Sequence, residues 1–431
     1  MRRQSRPLLK SAPLAPLVLA ALAPSVWASG FALQNQNGAG NGNAFAGAAA
    51  AAEDAGTIYF NPAGMTYLSE GHNVSLAATL LNRKLEFRDT GTTTLLPPLG
   101  SNGGDAGGLS VIPAGYWSMS LSPALRIGLG ISPSFGNKTE YSNDFVGRFS
   151  GYYAHLKQTN INPAIAYRAS DTVSVGFGLN YARNEIEFRQ KLPVVPPGAQ
   201  GTAILEGDDG AWGWNVGAMF QVSPTTRIGA SYRSNIKFHL TGNQAAALDA
   251  TGAGIAPLSY AIRSTLETPD NFSMALNQKM GDRWEVLADL TWTGWSSIKS
   301  LPVSRSSDGA QVNSLSYNFR NTWRGGLGAN FILADAWKLR FGVAYDQTPV
   351  QNDADRTMTL PDSDRTWLAV GARYALSKTT SLDVGYAHIF FKDASTARPV
   401  LNPTNGATLQ TVRGNFDTSA DQLSLQLNYR F

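Results

Sequence analysis

The chain has 431 residues, with 35 basic and 31 acidic side chains and no cysteine. The first 28 residues hold four of the basic side chains, Arg2, Arg3, Arg6 and Lys10, and no acidic one, so the remainder is balanced at 31 of each sign. That balance argues against a basic nucleic-acid surface, and the missing cysteines exclude a disulfide-stapled scaffold.

The opening segment reads as an export signal. A basic start is followed by a short apolar run, Leu14 to Ala23, and by small residues at Val26-Trp27-Ala28, which predicts cleavage after Ala28. The run is too short to span a bilayer. Ser29 to Gly64 follows, SGFALQNQNGAGNGNAFAGAAAAAEDAGTIYFNPAG. Its side chains are too small for an ordinary core and too apolar for a solvated tail, so it must lie against something larger. The remaining chain carries no apolar window of about 20 residues, yet the sequence holds 43 glycines, 15 tyrosines, 19 phenylalanines and 10 tryptophans. An exported chain of this kind is a large secreted β-protein or an outer-membrane barrel.

Alternation fits a soluble sandwich or a barrel turned inside out, and the aromatic positions and connection lengths found with it favour the barrel. Val173, Val175, Phe177, Leu179 and Tyr181 alternate with Ser174, Gly176, Gly178 and Asn180. Trp284 to Trp292, Trp337 to Tyr345 and Leu382 to Tyr386 repeat the pattern, one face apolar and the other small or charged. Trp284 and Trp292 bracket one strand, and Trp337 and Tyr345 another, as an aromatic girdle requires. Short connections fall at Pro123-Ala124, Ser170-Asp171, Ser223 to Thr225, Gly281-Asp282, Ala334-Asp335 and Ser377 to Thr379. Six such turns join seven hairpins, which predicts 14 strands. Long loops are expected between them, notably Leu192 to Gly210 and Asp393 to Asp417. The last strand, LSLQLNYRF, should pair with the first, near His72 to Phe87, so that no sheet edge is left in lipid.

Several motifs then carry a resemblance. Ser29 to Gln34, Gly40-Asn41-Gly42-Asn43-Ala44-Phe45-Ala46-Gly47, Glu53-Asp54-Ala55 and Asn61-Pro62-Ala63-Gly64-Met65 resemble the amino-terminal hatch of FadL/TodX-type outer-membrane transporters. Phe135 to Tyr141, Val146 to Phe149, Asn160 to Ala164, Trp292-Thr293-Gly294-Trp295-Ser296, Pro349-Val350, Leu360 to Trp367 and Gly414-Asn415-Phe416 extend it through nearly all of the exported chain. The resemblance implies an all-β fold, a 14-stranded antiparallel transmembrane barrel at 71–431 plugged by an N-terminal hatch at 29–70, behind a signal peptide at 1–28. It implies passive uptake of long-chain fatty acids, or of aromatic hydrocarbons, through an apolar pocket at the hatch with lateral exit beside a kinked third strand. It also implies residence in the outer membrane of a Gram-negative bacterium as a monomer, among lipid and lipopolysaccharide. Phe431 resembles the terminal aromatic read by the barrel-assembly machinery.

The candidate substrate residues on this reading are Phe31, Leu33, Arg183, Phe188, Arg189 and Arg320, the arginines serving as partners for a carboxylate. The stretch Ile186-Glu187-Phe188-Arg189 departs from the family if its arginine aligns with Phe188, which leaves room for an uncharged aromatic substrate. Asn61, Pro62, Ala63 and Gly64 form a turn expected to anchor the hatch, and Phe135-Gly136 marks the expected kink. Parity sets Arg126, Arg227, Arg233, Arg340, Arg373 and Arg430 on the small or polar face with Glu285, Asp289 and Asp383, where paired charges hold a lumen together. An enzyme is not indicated, because His72, His155, His239 and His388 stand apart from any nucleophile motif. No metal set, cofactor motif or phosphate-binding loop is present. A porin or an adhesin leaves the apolar plug unexplained.

Overall fold

Fourteen antiparallel strands form the wall in the computed structural model, which describes residues 30–96, 98–193, 200–248, 258–402 and 405–431. The export signal and Ser29 lie outside the described residues. In chain order the strands are β1 His72–Asp89, β2 Gly108–Ser120, β3 Leu125–Ser132 continuing as Gly136–Glu140, β4 Tyr153–Arg168, β5 Val173–Pro193, β6 Gln200–Ser223 and β7 Thr226–Arg233 with Ile236–Leu248. They continue as β8 Leu258–Thr268 with Asn271–Met280, β9 Trp284–Thr293, β10 Thr322–Ala334, β11 Trp337–Asp346, β12 Arg365–Ala375, β13 Thr380–Phe391 with Ala394–Leu401, and β14 Thr408–Arg430. A hairpin, Ser300–Arg305 with Gln311–Ser316, rises between β9 and β10.

Each strand pairs with its neighbour in sequence, and β14 returns to β1 over a register running from Asn73↔Arg430 to Asp89↔Gly414. Closure leaves no edge in hydrocarbon, where an unpaired peptide group costs several kcal/mol and only helices or closed barrels survive. All six predicted turns join strand pairs at one end of the wall. Alternation behaves as read. Leu423, Leu425, Leu427, Tyr429 and Phe431 are exposed on the outer face of β14, and Ser424 and Gln426 are buried on the inner face.

The two predicted long loops are a correction. Six residues separate β5 from β6, at 194–199, and the ladder pairs Phe188 with Leu205 above the bilayer-sized span. The extension forms because Phe188 and Leu205 pack with Ile262 and Val303 into an apolar cluster at the loop end. Asp393 to Asp417 is likewise mostly strand, since Ala394, Val412 and Phe416 join a second cluster with Phe87 and Phe145. Glycines, prolines and acids in these stretches mark ladder that has left the membrane.

The lumen is filled by residues 30–68. They form three short helices, α1 Gly38–Gly42, α2 Ala48–Ala51 and α3 Thr57–Phe60, and a 3₁₀ turn at Pro62–Tyr67. Asn37 caps α1, its Oδ1 accepting from Gly40 N at 2.9 Å. Asn61 caps the 3₁₀ turn, with Pro62 in the first helical position, where a missing N–H costs nothing. The same Asn61 ties plug to wall. Its Nδ2 donates to Ala49 O at 2.8 Å within the plug and to Ala218 O at 3.0 Å on β6. Such short elements cannot hold themselves, and wall atoms complete them. Gln426 Oε1 accepts from Gly38 N and Ala39 N at 2.9 and 3.0 Å, and Asn41 and Asn43 donate to Gly385 O and Phe341 O at 2.9 and 3.0 Å.

Glycine in the wall permits this approach. A Cβ at Gly217 would stand 2.0 Å from Asn61 Oδ1, and one at Gly229 would stand 1.9 Å from Ala49 O. Charge fixes the seating. Glu53 of the plug pairs with Arg340 at 2.7 Å, Arg373 at 3.4 Å and Lys338 at 3.5 Å, while Arg340 and Arg373 also hold Asp383 at 2.9 and 3.0 Å. Arg324 pairs with Asp289 at 3.1 Å and donates to Ala44 O of the plug. Each buried charge here has a partner, and removing one partner of such a pair typically costs about 3–5 kcal/mol.

Two substitutions test the seating. Asn61→Ala strands the Ala63 N–H and removes the donor to the wall, and should lower stability by about 1–3 kcal/mol. Gly217→Ala forces plug and wall apart and should lower the melting temperature further. Circular-dichroism melts of the detergent-solubilised protein give both values.

Candidate functional site at the interrupted third strand

The wall is broken between β2 and β3, where neighbouring strands part and a cavity opens. Pairing of β2 with β3 runs only from Ser120↔Arg126 to Gly115↔Ile131. Beyond it β3 is interrupted at Pro133, Ser134 and Phe135, and its second segment, Gly136–Glu140, pairs with β4 alone. Proline removes an amide and biases its predecessor, which suits the end of a ladder. The two strands meet again higher up, where Glu140 N donates to Ala106 O at 3.1 Å. A window is thus framed in the wall between residues 107–114, at the start of β2, and 132–139, across the interruption of β3.

The plug satisfies the backbone that the break exposes. Phe31, Ala32 and Leu33 lie alongside it as one more strand, with Ala32 bridged to Phe135. Leu33 N donates to Ser134 O at 2.9 Å and Gly136 N donates to Phe31 O at 3.0 Å. Gln36 adds a clamp, donating to Pro133 O at 2.7 Å and accepting from the Tyr116 hydroxyl at 2.7 Å.

Behind this strand is an aromatic cluster. Trp295, on a 3₁₀ turn after β9, is fully buried, with ring centroids 4.9 Å from Phe31, 6.1 Å from Phe135 and 5.9 Å from Phe319. Edge-to-face pairs at these separations each add about 0.5–1.5 kcal/mol beyond area burial. Ile236, Phe238, Leu240, Leu266 and Leu301 complete the apolar interior. A cavity of about 750 Å³ joins the break to the outer face. Leu33 and Phe135 line its inner side, and Leu76, Val111 and Ile131, exposed on the outer face, line the other.

The start of the plug is latched to the loop before β12. Asp362 Oδ2 accepts from Gly30 N at 2.9 Å and from the Thr348 hydroxyl at 2.9 Å, and its Oδ1 meets Arg365 at 3.0 Å. Gly30 sits at φ +42°, and a Cβ there would lie 2.7 Å from the Trp295 ring, so glycine is needed twice over.

The sequence-derived candidates are distributed unevenly over this site. Phe31, Leu33, Phe135 and Gly136 come together at the break, and Asn61, Pro62, Ala63 and Gly64 lie at the far end of the plug. Phe188 is buried at the loop end with Leu205, away from the cavity. Arg183 and Arg189 share the opposite face of β5 from Phe188. Arg183 pairs with Asp208 at 2.7 Å, while Arg189 pairs with Glu187 at 2.5 Å and stacks on Tyr153. Arg320 sits next to Phe319 and donates to Thr348 O at 3.3 Å. None of these three arginines lines the cavity. The basic residues that do are Arg83, Lys138, His155 and Lys157, with no acidic residue among its lining. Inward parity of Arg83 on β1, between Leu81 and Leu85, is the sequence signal that marks it.

Burial raises the carboxyl of Asp364, beside the latch, to about 6. Its neutral form therefore favours the folded loop fully below the unfolded value of 3.8, and that contribution is lost as pH rises through about 6. Asp364→Asn should flatten the pH dependence of the melting temperature between pH 4 and about 7, measured against the parent protein.

A closed barrel with short turns at one end, extended strands at the other and its own N-terminal segment packed in the lumen is an outer-membrane transport barrel. The chain belongs to the family described as outer membrane protein transport protein (OMPP1/FadL/TodX), whose model matches residues 19–431. It is 26% identical over 423 residues to the long-chain fatty acid transport protein of Escherichia coli K12, covering 86% of this chain and 90% of that one. Its fold is similar to a Pseudomonas aeruginosa FadL homologue, at 22% identity and TM-score 0.85 over 94% of this chain and all of that one. It is also similar to the Ralstonia pickettii toluene transporter TbuX, at 20% identity and TM-score 0.69 over 93% and 99%. The protein is accordingly a transporter of the Gram-negative outer membrane, not an enzyme.

Proposed function

We propose that this protein carries long-chain fatty acids into the outer membrane by passive diffusion, with the plug as gate and the window beside β3 as lateral exit. The observation that supports this most is the cavity of about 750 Å³ running from Leu33 and Phe135 of the interior to Leu76, Val111 and Ile131 of the lipid face. Its volume lies in the usual range for small-molecule sites, about 300–1,000 Å³. An apolar tail gains about 0.8 kcal/mol per buried CH₂ along such a path, and no nucleotide is needed to drive it. Basic residues without an acidic one around the cavity suit a carboxylate rather than a neutral hydrocarbon. Phe31 to Leu33 fill the space between the aromatic interior and the window, so passage requires them to move.

On this reading the chain divides into a signal peptide at 1–28, a plug at 29–70 and a barrel at 71–431, working as a monomer in contact with lipid and lipopolysaccharide. The exposed terminal Phe431 suits recognition by the barrel-assembly machinery. A second reading, uptake of aromatic hydrocarbons, draws support from the four clustered rings of Phe31, Phe135, Trp295 and Phe319.

Deleting Phe31 to Gln34 and measuring uptake of oleate and of toluene in intact cells tests both. Oleate uptake is expected to fall severalfold. Unchanged uptake of both compounds would refute the plug gate, and dependence of toluene alone on the protein would favour the second reading.

A further inference from the structure

Arg83 occupies a position that the transport reading alone does not require. It lies on β1 in register with Gly108 of β2, at the upper part of the window, and its side chain crosses behind that glycine to the second segment of β3. There Nη1 donates to Asn137 Oδ1 at 3.0 Å, and Nη2 donates to the Thr139 hydroxyl at 2.8 Å and to Lys138 O. All three acceptors are neutral. Among the described residues no carboxylate lies within ion-pair distance of it. The nearby acids are occupied elsewhere: Asp362 by Gly30, Thr348 and Arg365, and Asp105 by the Leu85 and Gly107 amides. The other permanently charged residues lining the cavity have acidic partners, Lys138 with Glu140 at 3.2 Å and Lys157 with Glu185 at 3.4 Å.

Arg83 also borders two spaces. It lines the large window cavity, and it lines a smaller interior cavity of about 90 Å³ with Phe31, Trp367 and Ile389. Its neutral acceptors replace part of the hydration that this half-buried guanidinium loses, but none supplies a counter-charge, which an arriving anion would. Its planar fork suits a carboxylate, for which hydrogen bonds are charge-assisted and about twice as strong as neutral ones.

We propose that Arg83 is the head-group receptor of the exit path, taking the carboxylate of an amphipathic acid as its tail enters the window and so favouring acids over neutral chains of equal length. This rests on the transport function proposed above. The competing role is that of a strut joining β1 to the upper segment of β3, which would serve every cargo alike.

The experiment compares the parent protein with Arg83→Gln and Arg83→Lys, using uptake of oleate and of oleyl alcohol by intact cells. Folding is checked by heat-modifiable gel migration, and displacement of a fluorescent fatty acid from the purified protein supplies a readout independent of export. Arg83→Gln is expected to reduce oleate uptake and fatty-acid affinity at least severalfold while leaving oleyl alcohol uptake unchanged, and Arg83→Lys should recover part of the loss. Equal loss for acid and alcohol, or no loss for the acid, would overturn the proposal and leave the transport reading standing. Failure of the parent protein to take up oleate at all would overturn both.

Discussion

In hydrocarbon a peptide group has no water to turn to, and a wall that breaks its own ladder must find partners from within the protein. The window beside β3 is such a break. Its exposed backbone is met by Leu33 N on Ser134 O and by Phe31 O on Gly136 N, both from the plug. Plug and opening are therefore one hydrogen-bonded unit. Residues 31–33 complete the hydrogen bonding of the gap and lie directly behind it.

The plug is also held to the wall along the rest of its length. The far end of the plug is fixed by side chains and charge: Asn61 on β6, Glu53 among Arg340, Arg373 and Lys338, and Ala44 O on Arg324. The near end is held by fewer and more local bonds, Gly30 on Asp362 and the short strand beside Phe135. Glycine on the inner wall, where even a methyl group would overlap the plug, is the cost of this close fit in a lumen too narrow for a conventional core.

Much of the architecture can be read from the chain because a barrel repeats one physical rule. Period-two alternation and six short turns suffice to count 14 strands and to orient β5, β9, β11, β13 and β14. The rule fails where the environment changes. Above the bilayer the ladder continues through Gly207, Gly210 and Pro399, residues that resemble loop when judged by composition alone. The candidate arginines were another such limit. Arg183 and Arg189 stand at a suitable height on β5 but on its outer face, so a choice by height misses what parity records. Arg83 has inward parity, yet its meaning depends on β3 leaving β2, a three-dimensional event that no local pattern on β1 reports.

The central claim is that transport requires the plug strand to separate from the break in β3. The chain has no cysteine, so a pair introduced by Ala32→Cys and Phe135→Cys can be oxidised without competing thiols. Directly bridged antiparallel residues have Cα atoms about 4.5–5.5 Å apart, within the usual disulfide range. Uptake of oleate by cells carrying the double variant should be lost on oxidation and return on reduction. Equal uptake in the two states, with the disulfide formed, would contradict the account.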